Sequence, residues 1–298
     1  MNIELFEREN YLNVEVLRKS FLDYIDVSDK TIETYDKALK QFAIYLSDNC
    51  IKQPTREDII NYREFLKLDH KSTTVNGYMI AVRNFFKYLE YQGIYKNITE
   101  NVKNVKLESK HLKRGLSIEE VSKVLKCCKN KQEELIIKLM ISCGLRSNEL
   151  VNIRLQDFKN DCGTIMLNIL GKGRDGYKQD QVKIDDRLFN DIKSYVKDFG
   201  ITDYLFESKK SSCDKISTRT IRRLAKRIFE ECGFDNLDML SAHSFRHTSC
   251  DLALESGMSI QEVSENMRHK SIQTTMIYKN ELDKRNSQFA NKLCDLLY

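Results

Sequence analysis

Residues 164–184, TIMLNILGKGRDGYKQDQVKI, interrupt a chain whose other segments have helical patterns. Residues 164–170 are rich in strand-forming side chains, and residues 177–184 form a second run of this kind. The segment between them, GKGRDG at 171–176, has the glycines typical of a turn. We therefore predict a β-hairpin with a loop of about six residues.

Helical patterns lie on both sides of this hairpin. The chain has one proline, Pro54, and 11 glycines in 298 residues, and this composition favours helices. Ser28, the pair 54–55 and Ser72 each precede a run in which apolar residues recur every three or four positions. We predict that these helices form a small bundle over residues 1–102.

The region around the hairpin is also predicted to be largely helical. Ser117 and Glu120 have the spacing of a capping box, and a helix over residues 133–143 is expected to end at Gly144. Everything after Asp185 shows helical patterns again. The predicted fold class is therefore mainly α with a small β-hairpin or sheet in the C-terminal domain, an α+β arrangement.

Length and charge divide the chain into two domains and a linker. A chain of 298 residues is long for one domain, and its formal net charge is +5. Residues 103–114 carry five basic residues against one acid, Glu108, whereas residues 1–102 and 115–298 are each nearly neutral. This basic linker fits a strap along DNA phosphates, and a merely solvated linker is the alternative.

Composition also bears on location and redox state. No segment approaches the roughly 18 consecutive apolar residues of a membrane span, and the acidic N-terminus does not resemble a targeting peptide. We expect a soluble, cytoplasmic protein. The nine cysteines form no C-x-x-C motif and have no metal-ligand spacing with histidine, so we expect reduced, buried thiols and no bound metal.

The C-terminal part concentrates side chains suited to phosphodiester chemistry. Arginine binds two phosphate oxygens with its planar fork, and a tyrosine phenol becomes a nucleophile only where cations favour its ionised form. These candidates are Arg146 in GLRSNEL, His243, Arg246 and His247 in HSFRHT, His269, and Tyr278 nine residues later. Each alone is more often a surface charge or a core residue, but the set predicts strand cleavage by a tyrosine.

Helical spacing predicts that His243 and His247 have different positions relative to Arg246. His243 and Arg246 are three residues apart, so they share one face of a helix. His247 is expected to turn away from Arg246 and to pack behind the site. At the hairpin tip, Lys172 between two glycines can donate a proton to a leaving oxygen, although an ordinary turn lysine is the alternative. No carboxylate cluster indicates two-metal nuclease chemistry.

Several basic residues are candidates for contact with DNA. Residues 215–228 predict an amphipathic helix whose basic face either lies against DNA or is simply solvated. We add the linker and two basic residues of the third N-terminal helix. The predicted DNA-binding residues are Lys103, Lys106, Lys110, Lys113, Arg114, Arg219, Arg222, Arg223, Lys226, Arg83 and Lys87.

These motifs resemble those of the tyrosine recombinase family, the phage-integrase and Xer-like group, over nearly the whole chain. TIETYDKALKQFAIYL (31–46) and TTVNGYMIAVRNFFKYL (73–89) resemble its helical core-binding, SAM-like domain. GLRSNEL, GKGR, HSFRHT and HKSIQTTMIY resemble its catalytic signatures in the family's order. The combination is specific, although each motif alone is weak.

The resemblance implies a role for each matching residue. Arg146 and Arg246 would hold the scissile phosphate, with Glu149 supporting the first of them. Lys172 would protonate the leaving 5′-oxygen, and His243 and His269 would bind the phosphate and assist proton transfer. Tyr278 would form a 3′-phosphotyrosyl link.

The resemblance also implies partners. The protein would act on a double-stranded DNA recombination site as a tetramer, through a four-way junction, without metal, ATP or another cofactor. Residues 285–298 would dock on a neighbouring protomer, or else pack on their own domain. Chromosome-dimer resolution, plasmid monomerisation and integration or excision of a mobile element all remain open.

One position departs from the family pattern. The family commonly has glycine directly before the second histidine, where this chain has Arg268. Two roles are open for this arginine, namely contact with DNA or a change in the turn that directs His269. Two other functions also stay open: a non-catalytic, sequence-specific DNA-binding accessory protein on the same scaffold, and a type IB topoisomerase-like enzyme.

Overall fold

The computed structural model describes residues 13–107, 114–171, 178–208, 211–286 and Cys294. The chain divides into two compact units, Met1–Lys110 and His111–Tyr298. The division falls inside the linker that the charge pattern predicts at residues 103–114. Each unit has its own hydrophobic core.

The first unit is a bundle of helices in its described part. Its helices are α1 (Val14–Tyr24), α2 (Asp29–Asp48), α3 (Arg56–Asp69) and α4 (Ser72–Tyr91). Their apolar faces meet in a core of large, fully buried side chains that includes Phe21, Phe42, Tyr62, Phe85 and Phe86. The helical periodicity of the sequence therefore predicted this bundle correctly.

Local signals start these helices as expected, with one difference. Thr55 accepts a hydrogen bond from the backbone N–H of Asp58, whose carboxylate accepts one from the backbone N–H of Thr55 at 2.7 Å. This reciprocal pair is a capping box. Ser28 precedes α2, but its hydroxyl pairs with the hydroxyl of Thr31 at 3.0 Å and caps no backbone group.

The first residues of the basic linker are fixed to the first unit. The Asn76 side chain on α4 both donates to and accepts from the backbone of Val105, each at 2.9 Å. The guanidinium of Arg63 donates to the carbonyl of Lys103 at 2.8 Å. Lys103 and Lys106 themselves remain exposed.

The second unit surrounds a three-stranded antiparallel sheet with helices. Its helices are α5 (Ile118–Lys126), α6 (Lys131–Ser142), α7 (Ser147–Val151), α8 (Asp186–Phe199), α9 (Thr218–Glu231), α10 (Ala242–Glu255), α11 (Ile260–Asn266) and α12 (Ile272–Asn286). Its strands are β1 (Phe158–Asp161), β2 (Thr164–Gly171), β3 (Lys178–Ile184), β4 (Glu207–Ser208) and β5 (Ser211–Lys215). β2 and β3 form the hairpin that the sequence predicts, and β1 adds a third strand.

Helix α10 is central to this unit. It packs against α6, α9 and α12, and an almost unbroken run of its residues from Ala242 to Cys250 is buried. The hydroxyl of Thr248 accepts a 2.8 Å hydrogen bond from the backbone N–H of Leu116, where the second unit begins. The active-site candidates His243, Arg246 and His247 therefore sit on the most enclosed helix of the unit.

Two expectations about the second unit are wrong. Residues 207–208 and 211–215 are not helical, because β4 and β5 pair in an antiparallel ribbon. Their polar sequence lacks the alternation that identifies a strand, and the buried residues Phe206 and Ile216 lie just outside the strands. The cysteines are also less buried than expected, since Cys50, Cys162 and Cys294 are exposed. No helix in the described residues is long and apolar enough to cross a membrane.

Candidate active site

A glycine turn brings the first arginine into position. Helix α6 ends at Ser142, and Gly144 has a φ of 56°, the left-handed region that glycine adopts readily. A Cβ atom on Gly144 would lie 2.4 Å from Cε of Met267, so the two turns can approach this closely only with glycine here. Arg146 then begins the short helix α7.

Glu149 is the buried carboxylate that holds this arginine. It accepts hydrogen bonds from the backbone N–H of Arg146 at 2.9 Å and from Nη1 of Arg146 at 2.6 Å. Burial opposes ionisation of Glu149, but the charge of Arg268 and the hydrogen bonds from Arg146 prevail and lower its pKa below the ordinary value of 4.5. The group is therefore a carboxylate at neutral pH.

Arg246 lies almost fully buried beside this pair. Its guanidinium donates to the carbonyl oxygens of Gly144 and Met267, and its Nη1 is 4.0 Å from Oε2 of Glu149. Burial, followed by the nearby charges of Arg146 and Arg268, lowers the pKa of Arg246 to about 10. Arg246 is still a cation at neutral pH, so Arg146 and Arg246 both present positive charge around one carboxylate.

Four rings form a row next to these guanidinium groups. The His243 ring meets the His247 ring edge-on at 4.9 Å, and the His247 ring lies 5.1 Å from the Tyr278 ring. The His269 ring also stacks on the Tyr278 ring, with 6.2 Å between their centroids and 11° between their planes. Nδ1 of His269 shares a 2.8 Å hydrogen bond with the hydroxyl of Thr275, which is fully buried.

We expected His247 to turn away from Arg246 and to support the site as a packing residue, and it is buried beside the site. Positions 243 and 247 are four residues apart, so they lie on the same side of α10, and the His247 ring contacts Tyr278. His247 therefore packs directly against the candidate nucleophile.

At neutral pH, Tyr278 is a neutral phenol and the three histidines of the ring row are neutral imidazoles. Burial, and then neighbouring positive groups, lower the pKa values of His247 and His269 to about 4. Loss of solvent around His243, with Arg246 and Arg146 nearby, lowers its pKa as well. Burial raises the pKa of Tyr278 above its usual 10, although Arg246 and Arg146 oppose that shift. Without a ligand, the phenol is therefore protonated at neutral pH.

The structure thus brings together seven of the eight candidate catalytic and supporting residues. These are Arg146, Glu149, His243, Arg246, His247, His269 and Tyr278. The eighth, Lys172, lies outside the described residues. The side chain of Arg146 is 40% exposed, so the cluster is open on that side to an anion from solution. Cations, neutral proton acceptors and a phenol in one place can carry out attack on a phosphodiester.

The candidate DNA-binding residues differ in whether their side chains are exposed or are already bonded to other groups of the protein. On α9, Ile221, Ala225 and Ile228 are buried, whereas the four basic residues Arg219, Arg222, Arg223 and Lys226 are exposed. Lys87 is exposed too. This arrangement fits both a DNA-facing helix and a solvated one, so contact of the α9 basic face with DNA stays a prediction.

Two of the candidate arginines are already engaged. Nη2 of Arg83 donates to the carbonyl of Val102 at 2.9 Å. Arg114 makes a two-pronged ion pair with Glu120 at 2.7 and 2.8 Å, which leaves fewer of its N–H groups available for phosphate. Lys110 and Lys113 lie outside the described residues, as do residues 287–293 and 295–298 of the C-terminal tail.

Sequence reasoning missed two contributors to the site. Thr275 shares the hydrogen bond with His269, and its position six residues later in the chain carried only a weak signal. Arg268 has its side chain turned inward, where Nη2 donates to Oε2 of Glu149 at 3.0 Å. Its place before His269 marked it as unusual, but the partner could not be read from the sequence.

Comparisons with known proteins agree with this geometry. Residues 114–285 match the profile described as "Phage integrase family", and residues 19–93 match "Phage integrase, N-terminal SAM-like domain". A tyrosine recombinase of Pseudothermotoga lettingae is 29% identical over 295 residues, covering 94% of this chain and 99% of that protein. Tyrosine recombinase XerA of Pyrococcus horikoshii is 26% identical and covers 91% of each chain.

Solved structures share the fold. The XerH site-specific recombinase bound to a palindromic difH substrate superposes with a TM-score of 0.74 at 22% identity, covering 97% of this chain and 88% of that one. A lambda integrase dimer bound to a COC′ core site gives a TM-score of 0.72 at 16% identity, covering 93% and 81%. At these identities the likeness establishes the architecture.

Proposed function

The chain belongs to the phage integrase family, and we propose that it is a site-specific tyrosine recombinase that cleaves and rejoins DNA through a 3′-phosphotyrosyl intermediate. The observation that carries this proposal is the convergence of Arg146 and Arg246 on Glu149, beside a tyrosine flanked by neutral histidines. The family membership supports the same activity, because the named relatives are tyrosine recombinases.

In the proposed reaction, the oxygen of Tyr278 attacks the scissile phosphorus. The bond from phosphorus to the 5′-oxygen breaks, and a bond from phosphorus to the tyrosine oxygen forms. Arg146 and Arg246 neutralise the non-bridging oxygens, whose charge grows in the crowded transition state. A second strand's 5′-hydroxyl then reverses the step, so that no external energy source is needed.

Proton transfer falls to neutral bases and one acid. His243 and His269 are unprotonated at neutral pH, so they can hydrogen-bond the phosphate and accept the proton that Tyr278 loses. Lys172 supplies a proton to the departing 5′-oxygen. Glu149 keeps Arg146 in place and takes no part in proton transfer, since its lowered pKa leaves it ionised.

The partners follow from the chemistry proposed. Complete exchange between two duplex DNA sites cleaves four strands, and one protomer for each strand makes a tetramer on a four-way junction. The C-terminal residues 285–298 provide an apolar segment for docking on a neighbouring protomer. We place the protein in the cytoplasm, where a bacterial or archaeal chromosome or mobile element would be its substrate.

The covalent link provides the direct test. A DNA site is first selected by the protein from randomised duplexes, and a nick is then placed so that the cleaved strand's short end diffuses away. We expect an adduct between wild-type protein and DNA that survives SDS, and none with Tyr278→Phe. The matched control is Tyr91→Phe, a tyrosine that is 75% exposed on α4.

Each other outcome contradicts part of the proposal. An adduct with Tyr278→Phe would mean that another residue is the nucleophile. Specific binding by the wild type without adduct or strand exchange would indicate an accessory DNA-binding protein. Relaxation of supercoiled DNA without a preferred site would indicate a topoisomerase.

A further inference from the structure

Arg268 has a backbone conformation that normally belongs to glycine. Its φ is 54°, in the left-handed region where a side chain costs free energy. The residue ends α11, with its backbone N–H donating to the carbonyl of Glu265 at 2.9 Å. Glycine would satisfy this helix end without strain. An arginine here therefore calls for a compensating role of its side chain.

The side chain of Arg268 is almost completely enclosed. Only 5% of it is exposed, which is unusual for an arginine outside a buried ion pair. Nη2 donates to Oε2 of Glu149 at 3.0 Å and to the carbonyl of Gly144 at 3.0 Å. Nη1 donates to the carbonyl of Asn266 at 2.7 Å. With only 5% of the side chain exposed and its Nη groups donating to protein oxygens, Arg268 is not positioned to contact DNA.

These contacts join the two turns that carry the reaction. The first turn, residues 143–146, presents Arg146, and the second, residues 266–269, presents His269. Arg268 belongs to the second turn, and its guanidinium donates a hydrogen bond to the carbonyl of Gly144 in the first turn. In return, Nη2 of Arg146 donates to the carbonyl of Arg268 at 3.3 Å. The side chain and the carbonyl of one residue thus hold both turns together.

We propose that Arg268 is a positioning residue for strand cleavage, which orients Glu149 and, through it, Arg146 relative to His269. The inference rests on the proposed recombinase function. Oε1 of Glu149 accepts a hydrogen bond from Nη1 of Arg146, and Oε2 accepts one from the backbone N–H of Arg146 and one from Nη2 of Arg268. Arg268 thus adds a charged second donor on Oε2 and holds the carboxylate between two guanidinium groups, which favours one orientation of Arg146 toward the phosphate.

The charge of Arg268 should affect the pH dependence of cleavage, which a role in packing alone would not. The groups that face Glu149 are Arg146 on α7, Arg246 and His243 on α10, and Arg268 after α11. Among the charges acting on Glu149, that of Arg268 is the strongest influence against the effect of burial. Without that cation, burial raises the pKa of Glu149, and the carboxyl becomes protonated at a higher pH. The charge of Arg268 also contributes to the lowered pKa of His269, so its loss raises the pKa of both groups, and cleavage should then fail at a higher pH on the acid side.

The test compares substitutions of Arg268 in the full-length protein on the nicked DNA substrate. Arg268→Met removes the charge at similar length, Arg268→Lys keeps the charge without the fork, and Arg268→Gly restores the unstrained backbone. Lys270→Met is the matched control, because it removes a charge two residues away at an exposed position. The rate of adduct formation at saturating DNA, the DNA dissociation constant and the thermal midpoint are measured for each.

We expect Arg268→Met and Arg268→Gly to slow adduct formation about 10- to 100-fold, the range found when a supporting partner of a reactive group is removed. DNA affinity should change less than about threefold, because many phosphate contacts determine it. The acid limb, which is the fall in the rate of adduct formation at low pH, should move to higher pH in both variants. Arg268→Lys should recover the wild-type acid limb while recovering only part of the rate.

Arg268→Gly separates positioning from folding. Glycine relieves the left-handed strain, so this variant should keep a folded structure while it loses cleavage. A wild-type rate and acid limb in Arg268→Gly would overturn the inference. Losses no larger than those of Lys270→Met, or losses that match the unfolded fraction, would overturn it too. If the wild type forms no adduct, the recombinase function itself fails, and this inference fails with it.

Discussion

At the scale of single residues, the site is organised around one buried carboxylate. Glu149 receives Arg146 and Arg268 on its two oxygens and lies 4.0 Å from Arg246. A buried carboxylate surrounded by cations stays ionised, and its removal would leave the guanidinium groups around it uncompensated. The arginines therefore hold one another in place through an acid that itself does not react.

The sequence revealed which residues matter more readily than how they are arranged. Arg146, Arg246 and Tyr278 could be named because each lies in a motif, GLRSNEL, HSFRHT or HKSIQTTMIY, whose combination of residue types is unusual. The ring row was not foreseen, since the position of His247 beside Tyr278 depends on how α10 meets α12. The inward turn of Arg268 depends likewise on a contact between residues more than a hundred positions apart. Long-range packing of this kind leaves no periodic signal.

The neutral histidines predict how stability depends on pH. The folded pKa of His247 is about 4, below the ordinary 6.5, so the unfolded chain binds more protons between these values. The stability that neutral His247 contributes is complete above pH 6.5 and is lost as the pH falls toward 4. We expect the free energy of unfolding to decrease by up to about 1 kcal/mol per pH unit in this window for this histidine.

Urea unfolding at a series of pH values measures this dependence, and His247→Gln isolates the contribution. Glutamine cannot titrate, so the slope between pH 6.5 and 5 should become shallower even though the absolute stability also changes. An unchanged slope would mean that His247 is already protonated in the folded protein. His269, with the same lowered pKa, should leave a residual slope of the same sign.

At the scale of elements, helix α9 is the clearest separation of a core face from a charged face. Ile221, Ala225 and Ile228 anchor it, and the periodicity of the sequence predicted that face correctly. The same periodicity predicted the bundle helices, and strand-forming residues on both sides of a glycine-rich turn predicted the β2–β3 hairpin. It failed for β4 and β5, whose stability comes from their neighbours and whose own side chains are polar.

The basic face of α9 predicts a salt-dependent contribution to DNA affinity. Arg222→Gln removes one exposed cation, so we expect affinity to fall and the slope of log affinity against log salt to decrease by about 0.9. Lys197→Gln, which removes an exposed cation from α8, is the control and should leave the slope unchanged. Fluorescence anisotropy at several salt concentrations gives the slopes. Equal slopes for Arg222→Gln and the wild type would assign this face to solvent.

At the scale of the whole molecule, each of the two units has its own main core, and the described part of the second unit adds a smaller cluster that includes Leu254, Val263 and Leu282. The first unit buries the aromatic side chains of α1 to α4, and the second buries an aliphatic core between its sheet and helices. We propose that the short basic segment between two nearly neutral regions marks this division in the sequence. Its position was less certain, because residues up to Val105 are hydrogen-bonded to α4 and their composition does not show it.

Separate cores predict that a core defect in one unit stays in that unit. Phe42 is fully buried among aromatic rings, so Phe42→Ala should destabilise the first unit by about 3–5 kcal/mol. Hydrogen exchange should speed up in α2, α3 and α4 while α10 keeps its wild-type protection. Loss of protection in α10 to the same extent would show that the two units unfold as one.

The contact between Gly144 and Met267 has a consequence for how this chain can diverge. A methyl group at position 144 and the thioether at position 267 compete for the same volume. A larger residue at position 144 would also have to adopt the left-handed backbone conformation, which no change at position 267 relieves. In descendants of this sequence, position 267 can therefore change to a smaller residue by itself, whereas glycine should persist at position 144.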